Sequence, residues 1–188
     1  MALSSKQAAL SGFFILASAP PLSVAAATIV NSASAQTVMA AADFSVTLNQ
    51  QRFSLGDKWD DQAKQRAGAQ ISESFVGDVP SGESNYKYYQ HSYAGYEIYT
   101  ANLFWEKEQR DIDSYIIAQI TLNAPGIATF RGVSVGDTQS ELVKKYGNGT
   151  IDDSDNQHWI YYDGDGKRIS FQIENNKVSH IMMVFNTD

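Results

Sequence analysis

No cysteine occurs anywhere in the 188 residues. That absence removes disulfide stapling, thiol catalysis and lipid attachment through an N-terminal cysteine. Positive charge is also short: 14 Lys and Arg stand against 21 Asp and Glu, for a formal charge of −7. A chain of that balance is poorly suited to nucleic acid or to anionic membrane surfaces. Only three histidines are present, His91, His158 and His180. They fall on separate segments with no H-x-x-x-H spacing, which argues against a zinc site built from sequence-local ligands. Long apolar runs are confined to the first 30 residues, and no other stretch approaches the roughly 20 residues needed to span a bilayer.

That first run has the features of a secretion signal. Lys6 is the lone charge before Ala35, an apolar stretch passes through Phe13, Phe14, Ile15 and Leu16, and Pro20-Pro21 interrupts its continuation to Val30. Ala33-Ser34-Ala35 gives the small-x-small pattern a signal peptidase accepts, with Gln36 as the new N-terminus. Loss of Lys6 leaves a balance of about −8 by the same counting. Without disulfides, stability must come from a core, and the Tyr, Phe, Ile and Val residues after Phe44 can build one.

What the chain does have is self-similarity. RFSLGDKWDDQAKQRAG from Arg52 and RGVSVGDTQSELVKKYG from Arg131 both give an alternating pair, Gly-Asp, about ten residues of helical character and Gly. Asp57 and Asp137 are candidate helix N-caps, with Thr138 and Glu141 an alternative capping box. Gly68 and Gly147 fit C-terminal stops. Trp59, Ala63 and Ala67 form one apolar stripe, and Leu142, Val143 and Tyr146 another. Strands follow each helix. Tyr86–Tyr89 answers Trp159–Tyr162 and Tyr96–Thr100 answers Ile169–Ile173, both at an offset of 73. A closing strand around Ile120 answers one around Ile181 at an offset of 61. The shrinking offset puts about six extra residues between helix and sheet in the first half, and twelve in its last hairpin, near Leu103–Asp111.

A helix followed by an antiparallel meander, given twice, resembles the β-lactamase inhibitor protein (BLIP) architecture. The second half, RGVSVGDTQSELVKKYG through HWIYYDGDGKRISFQIENNKVSHIMMVF, is also similar to the small outer-membrane assembly lipoproteins of the SmpA/OmlA (BamE) type. The resemblance covers nearly all of the chain after Phe44. It implies a non-catalytic scaffold whose sheet and loops meet another protein. The chain departs from both groups in lacking cysteine, which braces the inhibitors and anchors the lipoproteins.

Three chemical readings compete with binding. GVSVG, residues 132–136, matches the G-x-S-x-G of serine hydrolases. Ser54 holds the equivalent place in FSLGD without the upstream glycine, so the shared feature is a strand leading into Gly-Asp. The acidic loops Asp152–Asn156 and Asp163–Gly166 offer oxygen ligands for calcium, but neither fits the spaced loop with a Glu at the twelfth position. Turns demand the same residues. Asn148-Gly149-Thr150 is a glycosylation sequon by pattern, discounted because the resemblance is to bacterial proteins.

The sequence thus predicts an α+β protein of two tandem repeats, each a short helical segment on an antiparallel β-meander. Residues 1–35 are read as the signal peptide, 36–43 as a flexible N-terminal segment, 44–124 as the first lobe and 125–188 as the second. Secreted or periplasmic, it is expected to bind another exported or envelope protein without catalysis, as an inhibitor or envelope-assembly accessory. Neither cofactor nor metal is expected, and no nucleic acid or stable membrane span. Expected contact residues are Tyr86, Tyr88, Tyr89, Tyr93, Tyr96 and Tyr99, with Phe104 and Trp105 of the long hairpin. The alternatives are a small esterase-like hydrolase using Ser134 and a calcium or small-ligand module using the acidic loops.

Overall fold

A two-residue turn joins the first two strands. Ser45–Leu48 (β1) and Gln51–Ser54 (β2) pair antiparallel, with Val46 opposite Phe53. Asn49 and Gln50 between them both take positive φ, 49° and 63°, the geometry that matches strand twist in a two-residue hairpin. Val46, Leu48 and Phe53 are buried and the residues between them face out. This computed structural model describes residues 37–81 and 84–186. The expected signal peptide and its cleavage site lie outside the described residues.

Two short helices follow the Gly-Asp turns. The first, α1, is Asp61–Ala67, and the second, α2, is Gln139–Tyr146. The expected N-cap at Asp57 is corrected: Asp60 caps α1, its Oδ1 accepting from Ala63 N at 3.0 Å. Asp57 instead closes the turn before it, accepting from Ser54 N at 2.8 Å. Asp137 does the same for Ser134 N at 2.9 Å, and Thr138 with Glu141 forms the capping box of α2. An Asp three residues after an N–H can fold back on it, which makes it a turn former first and a cap second. Gly68 and Gly147 end the helices at φ 103° and 77°, a region where L side chains are strained.

The rest is one sheet. Ser72–Ser81 (β3), Ser84–Tyr93 (β4), Tyr96–Ala101 (β5) and Ile116–Leu122 (β6) form one meander. Thr150–Asp152 (β7), Trp159–Gly164 (β8), Lys167–Glu174 (β9) and Lys177–Phe185 (β10) form the other. The chain is mixed helix and sheet, dominated by antiparallel strands. The two meanders join along their last strands in the order β3-β4-β5-β6-β10-β9-β8-β7. At the seam Thr121 lies opposite Met182 and Ile120 opposite Met183.

One face of this sheet carries the core. Ile98, Ile117, Ile120 and Leu122 from the first meander and Ile169, Phe171, Ile181 and Met183 from the second are buried with Ala63, Ala67, Leu142 and Tyr146 of the helices and with the β1–β2 hairpin. Each Gly-Asp turn is tied to the closing strand of its own half: Gly56 N donates to Ile117 O and Ile117 N to Asp57 O, while Gly136 N donates to Val178 O and Val178 N to Asp137 O. The stretch before Phe44 is held in its described part. Met39 is buried, and Asp43 is ion-paired to Arg131 at 2.7 Å. No helix among the described residues is long and apolar enough to cross a membrane.

Candidate functional site

Residues opposite one another in an antiparallel pair share a face, so the registers define what lies on the side away from the helices. In the first meander Tyr88 lies opposite Ala101, Gln90 opposite Tyr99 and Ser92 opposite Glu97. Across the seam come Gln119 with Val184 and Thr121 with Met182. In the second meander Trp159 lies opposite Gln172, Tyr161 opposite Ser170 and Asp163 opposite Arg168. Tyr99, Gln119, Thr121, Ser170 and Met182 make a buried floor. Around it stand half-exposed side chains: Tyr88, Gln90, Glu97, Trp159, Tyr161, Gln172 and His180.

The chemistry of this face is aromatic and amide-rich. Tyr99 OH donates to Glu97 Oε2 at 3.1 Å and Gln119 Nε2 to Thr121 Oγ1 at 3.1 Å. Trp159 Nε1 donates to Gln157 Oε1 at 2.9 Å, and the indole meets His180 edge-on at 5.9 Å. Arg168 lies over the Tyr161 ring at 4.0 Å while both Nε and Nη2 reach the Asp163 carboxylate. Burial raises the Tyr88 hydroxyl to about 12, helped by Tyr86. It raises Tyr99 too, with Glu97 adding to the effect. His180 moves the other way, lowered by burial against the opposing pull of Glu174. At neutral pH these groups are therefore uncharged donors and acceptors.

The eight expected contact residues do not share one surface. Tyr88 and Tyr99 lie on the helix-free face. Tyr86 does as well, but it is buried there: its ring meets Phe104 at 6.0 Å and its hydroxyl reaches Glu106 at 3.3 Å. Phe104 and Trp105 fold back over the sheet, half-buried against Tyr86, Ala101, Leu103, Ile116 and Ala118. Their loop is stapled down. Asn102 Oδ1 accepts from Lys87 N at 2.8 Å while its Nδ2 donates to Ile112 O at 2.9 Å, and Arg110 donates to the carbonyls of Leu103 and Ser114. Tyr93 and Tyr96 belong to the core face, rings stacked at 4.7 Å, with Tyr96 OH donating to Ala67 O under the end of α1. Tyr89 points to the same side, near the sheet edge, between Phe75 and Tyr115.

Sequence reasoning missed Trp159, Tyr161, Gln119, Met182 and His180. A signal for two of them was present: the offset of 73 sets Trp159 on Tyr86 and Tyr161 on Tyr88. Gln119, Met182 and His180 sit in the closing strands, whose apolar alternation is blurred, and nothing in those strands marks them.

The residues of the competing readings lie elsewhere. Ser134 makes a single bridge to Ala128, and its N–H is held by Asp137 as Ser54 N–H is held by Asp57. α2 starts only at Gln139, so the strand, nucleophile and helix do not follow one another directly as in a nucleophile elbow. Among the acids, Asp152 accepts from Ser154 N, Asp153 contacts the His158 ring, Asp163 binds Arg168 and Asp165 binds Lys167. Among the described residues no three His, Cys, Asp or Glu side chains converge to hold a metal ion. Compared with family models, curated proteins and solved structures, the chain matches none of the three.

Proposed function

We propose that this chain is an exported, non-catalytic protein-binding module built by tandem duplication, and that it meets its partner through the helix-free face of the sheet. The observation that carries the reading is the ring of half-exposed Tyr88, Glu97, Trp159, Tyr161 and His180 around a neutral floor on one continuous sheet. Tyr and Trp supply large contact area at low conformational cost, with polar tips for hydrogen bonds. The position of the ring across both meanders extends the expected site beyond the first half.

Matched backbone bonds support the duplication. Trp59 N donates to Tyr115 O and Gln139 N to Asn176 O; Lys58 bridges Ile116 and Thr138 bridges Lys177. In every pair the residue at or just before the helix start is displaced by 80 and its partner on the closing-strand side by 61, the same numbers that relate Gly56 to Gly136 and Ile117 to Val178. The resemblance to inhibitor and assembly proteins suggests which duties such a scaffold performs: blocking an exported enzyme, or joining envelope components.

Partner capture from a periplasmic or culture-supernatant extract tests this, with wild type beside Trp159→Ala/Tyr161→Ala and Phe104→Ala/Trp105→Ala. Loss of the captured protein with the Trp159/Tyr161 variant, while its circular dichroism stays native, is the expected result. Equal recovery by both variants would remove the sheet face from the proposal.

A further inference from the structure

The two ends of the sheet differ. β7 closes one end with three residues, whereas β3 closes the other with ten and among the described residues pairs only with β4. A long terminal strand leaves a row of backbone N–H and C=O groups able to accept another strand. The apolar side chains along its first half stand in solvent: Ile71 just before the strand is 70% exposed, Phe75 54% and Val76 37%. Phe75 does not end the apolar surface. Its ring meets Tyr89 at 5.2 Å and Tyr89 meets Tyr115 at 5.4 Å, an aromatic strip running inward from the edge.

The strand itself narrows where an addition can occur. A bulge between Phe75 and Gly77 breaks the register, and Pro80 further on has no N–H to give. That leaves Ser72–Val76 as the stretch able to pair. Charge then decides the occupant. β3 holds Glu73 and Asp78 and no Lys or Arg, and Asp113 with Asp78 faces Tyr115 at the inner end of the strip. Lys87 is the register partner of Asp78, and the charge of Lys64 acts on His91, which lies against Glu73; these two cations are outnumbered by the three carboxylates. A second copy of this chain would add two more carboxylates to the same edge, and the whole chain carries −7. Like charges opposite one another in a strand pair are destabilising. Aromatic faces and carboxylates together favour Lys and Arg, by cation–π contact and by charge-assisted hydrogen bonds.

We propose that β3 is a strand-addition site for an extended segment of another protein in which Lys or Arg alternates with apolar residues, with a cation lying over the edge ring of Phe75. This surface is separate from the helix-free face, so the two readings stand or fall independently.

The probe is a synthetic peptide alternating lysine with valine, added to the full chain. Hydrogen exchange of the Ser72–Val76 amides should slow, and Asp78→Lys/Asp113→Lys, native by circular dichroism, should weaken binding at least about tenfold. Two controls are a peptide with every second residue replaced by proline and one alternating glutamate with valine. Equal binding of either control, or no slowing at Ser72–Val76 with the lysine peptide, overturns the proposal. Slowing that grows with protein concentration in the absence of peptide overturns it in favour of self-association.

Discussion

Arg131 grips Asp43 with two parallel hydrogen bonds, Nε to Oδ1 and Nη2 to Oδ2, each at 2.7 Å. The pair joins the lead-in of the first half to the hairpin that opens the second, 88 residues away. Arg131 also lies over the Tyr146 ring at 5.0 Å, so one guanidinium holds helix α2 and the N-terminal turn together. The Asp43 side chain is 3% exposed, and a buried carboxylate stripped of its cation is costly. Arg131→Met is therefore expected to lower unfolding free energy by about 3 kcal/mol in urea melts. Pairing it with Asp43→Leu should recover part of that loss, because no charge is then left buried.

The same pair sets an acid limit. Burial alone would raise the Asp43 carboxyl, but hydrogen bonds from Arg131 and Ala40 N–H outweigh it and hold the group below its usual range. A depressed carboxyl stabilises the fold above its unfolded value of about 3.9, and that contribution fades as pH falls through the lower folded value. Wild type should lose more stability than Asp43→Asn on moving from pH ~5 to pH ~2, measured by urea midpoints.

His91 sets a second pH dependence, at milder acidity. It is buried on the core face, its ring 4.9 Å from Trp59, with Nε2 3.0 Å from Thr100 Oγ1 and Nδ1 near Gln70 Oε1 and Glu73 Oε2. Two acceptors at Nδ1 and a hydroxyl at Nε2 suit the neutral ring with its proton on Nδ1. Burial lowers its pKa; Glu73 opposes this and Lys64 adds to it. With the folded value below the unfolded ~6.5, the unfolded chain binds the extra proton first, so stability falls as pH drops below ~6.5 and levels off beneath the folded value. Imidazole resonances followed by NMR should titrate below 6.5, and His91→Gln should flatten the stability profile in that window. A His91 titrating above 6.5 would refute this.

Helices, glycine stops and most strands were legible because each depends on local pattern. Ala63, Ala67, Leu142 and Tyr146 announce their buried stripe, and Ile169, Phe171 and Ile173 alternate cleanly. β3 was not legible. SESFVGDVPS has nearly all its described side chains exposed, so no burial drives an alternation, and its length is set by pairing with β4. The proposed contact face was half legible for a related reason. Alternation separates Tyr88 from Tyr89, but that β6 and β10 join the two meanders, and so bring Trp159 onto the face that holds Tyr88, is a tertiary fact. The long β5–β6 loop is ambiguous by composition: Phe104 and Trp105 beside charged residues suit a contact as well as a fold-back, while Asn102 and Arg110, which fold the loop down, act through backbone carbonyls and one amide that no motif records.

Two glycines separate crowding from backbone strain. A Cβ on Gly149 would lie 2.6 Å from Ile160 Cγ2, 2.8 Å from Tyr162 Cζ and 2.9 Å from the Tyr161 carbonyl, although its φ is not positive. Gly166 is the reverse case, at φ 65° with nothing within 4 Å. Gly149→Ala should cost about 2 kcal/mol through overpacking, and Gly166→Ala about 1 kcal/mol through conformation alone. Thermal melts should rank them in that order.

The serine of GVSVG gives the last test, because its backbone and its side chain have different duties. Ser134 N–H is held by Asp137 Oδ2, and Asp137 N–H returns to Ser134 O at 3.2 Å, closing the turn that delivers the chain to α2. Alanine keeps that N–H. Ser134→Ala should therefore change stability by no more than about 0.5 kcal/mol, as for a half-buried position whose backbone bonds the substitution keeps. Asp137→Ala removes the acceptor and also its 3.9 Å contact with Lys145, and should cost about 1 kcal/mol. Asp57→Ala should behave alike, since Asp57 holds Ser54 N–H in the same way. Chromogenic ester turnover abolished by Ser134→Ala would assign the hydroxyl a chemical role and reverse the reading of this serine as part of the turn that leads into α2.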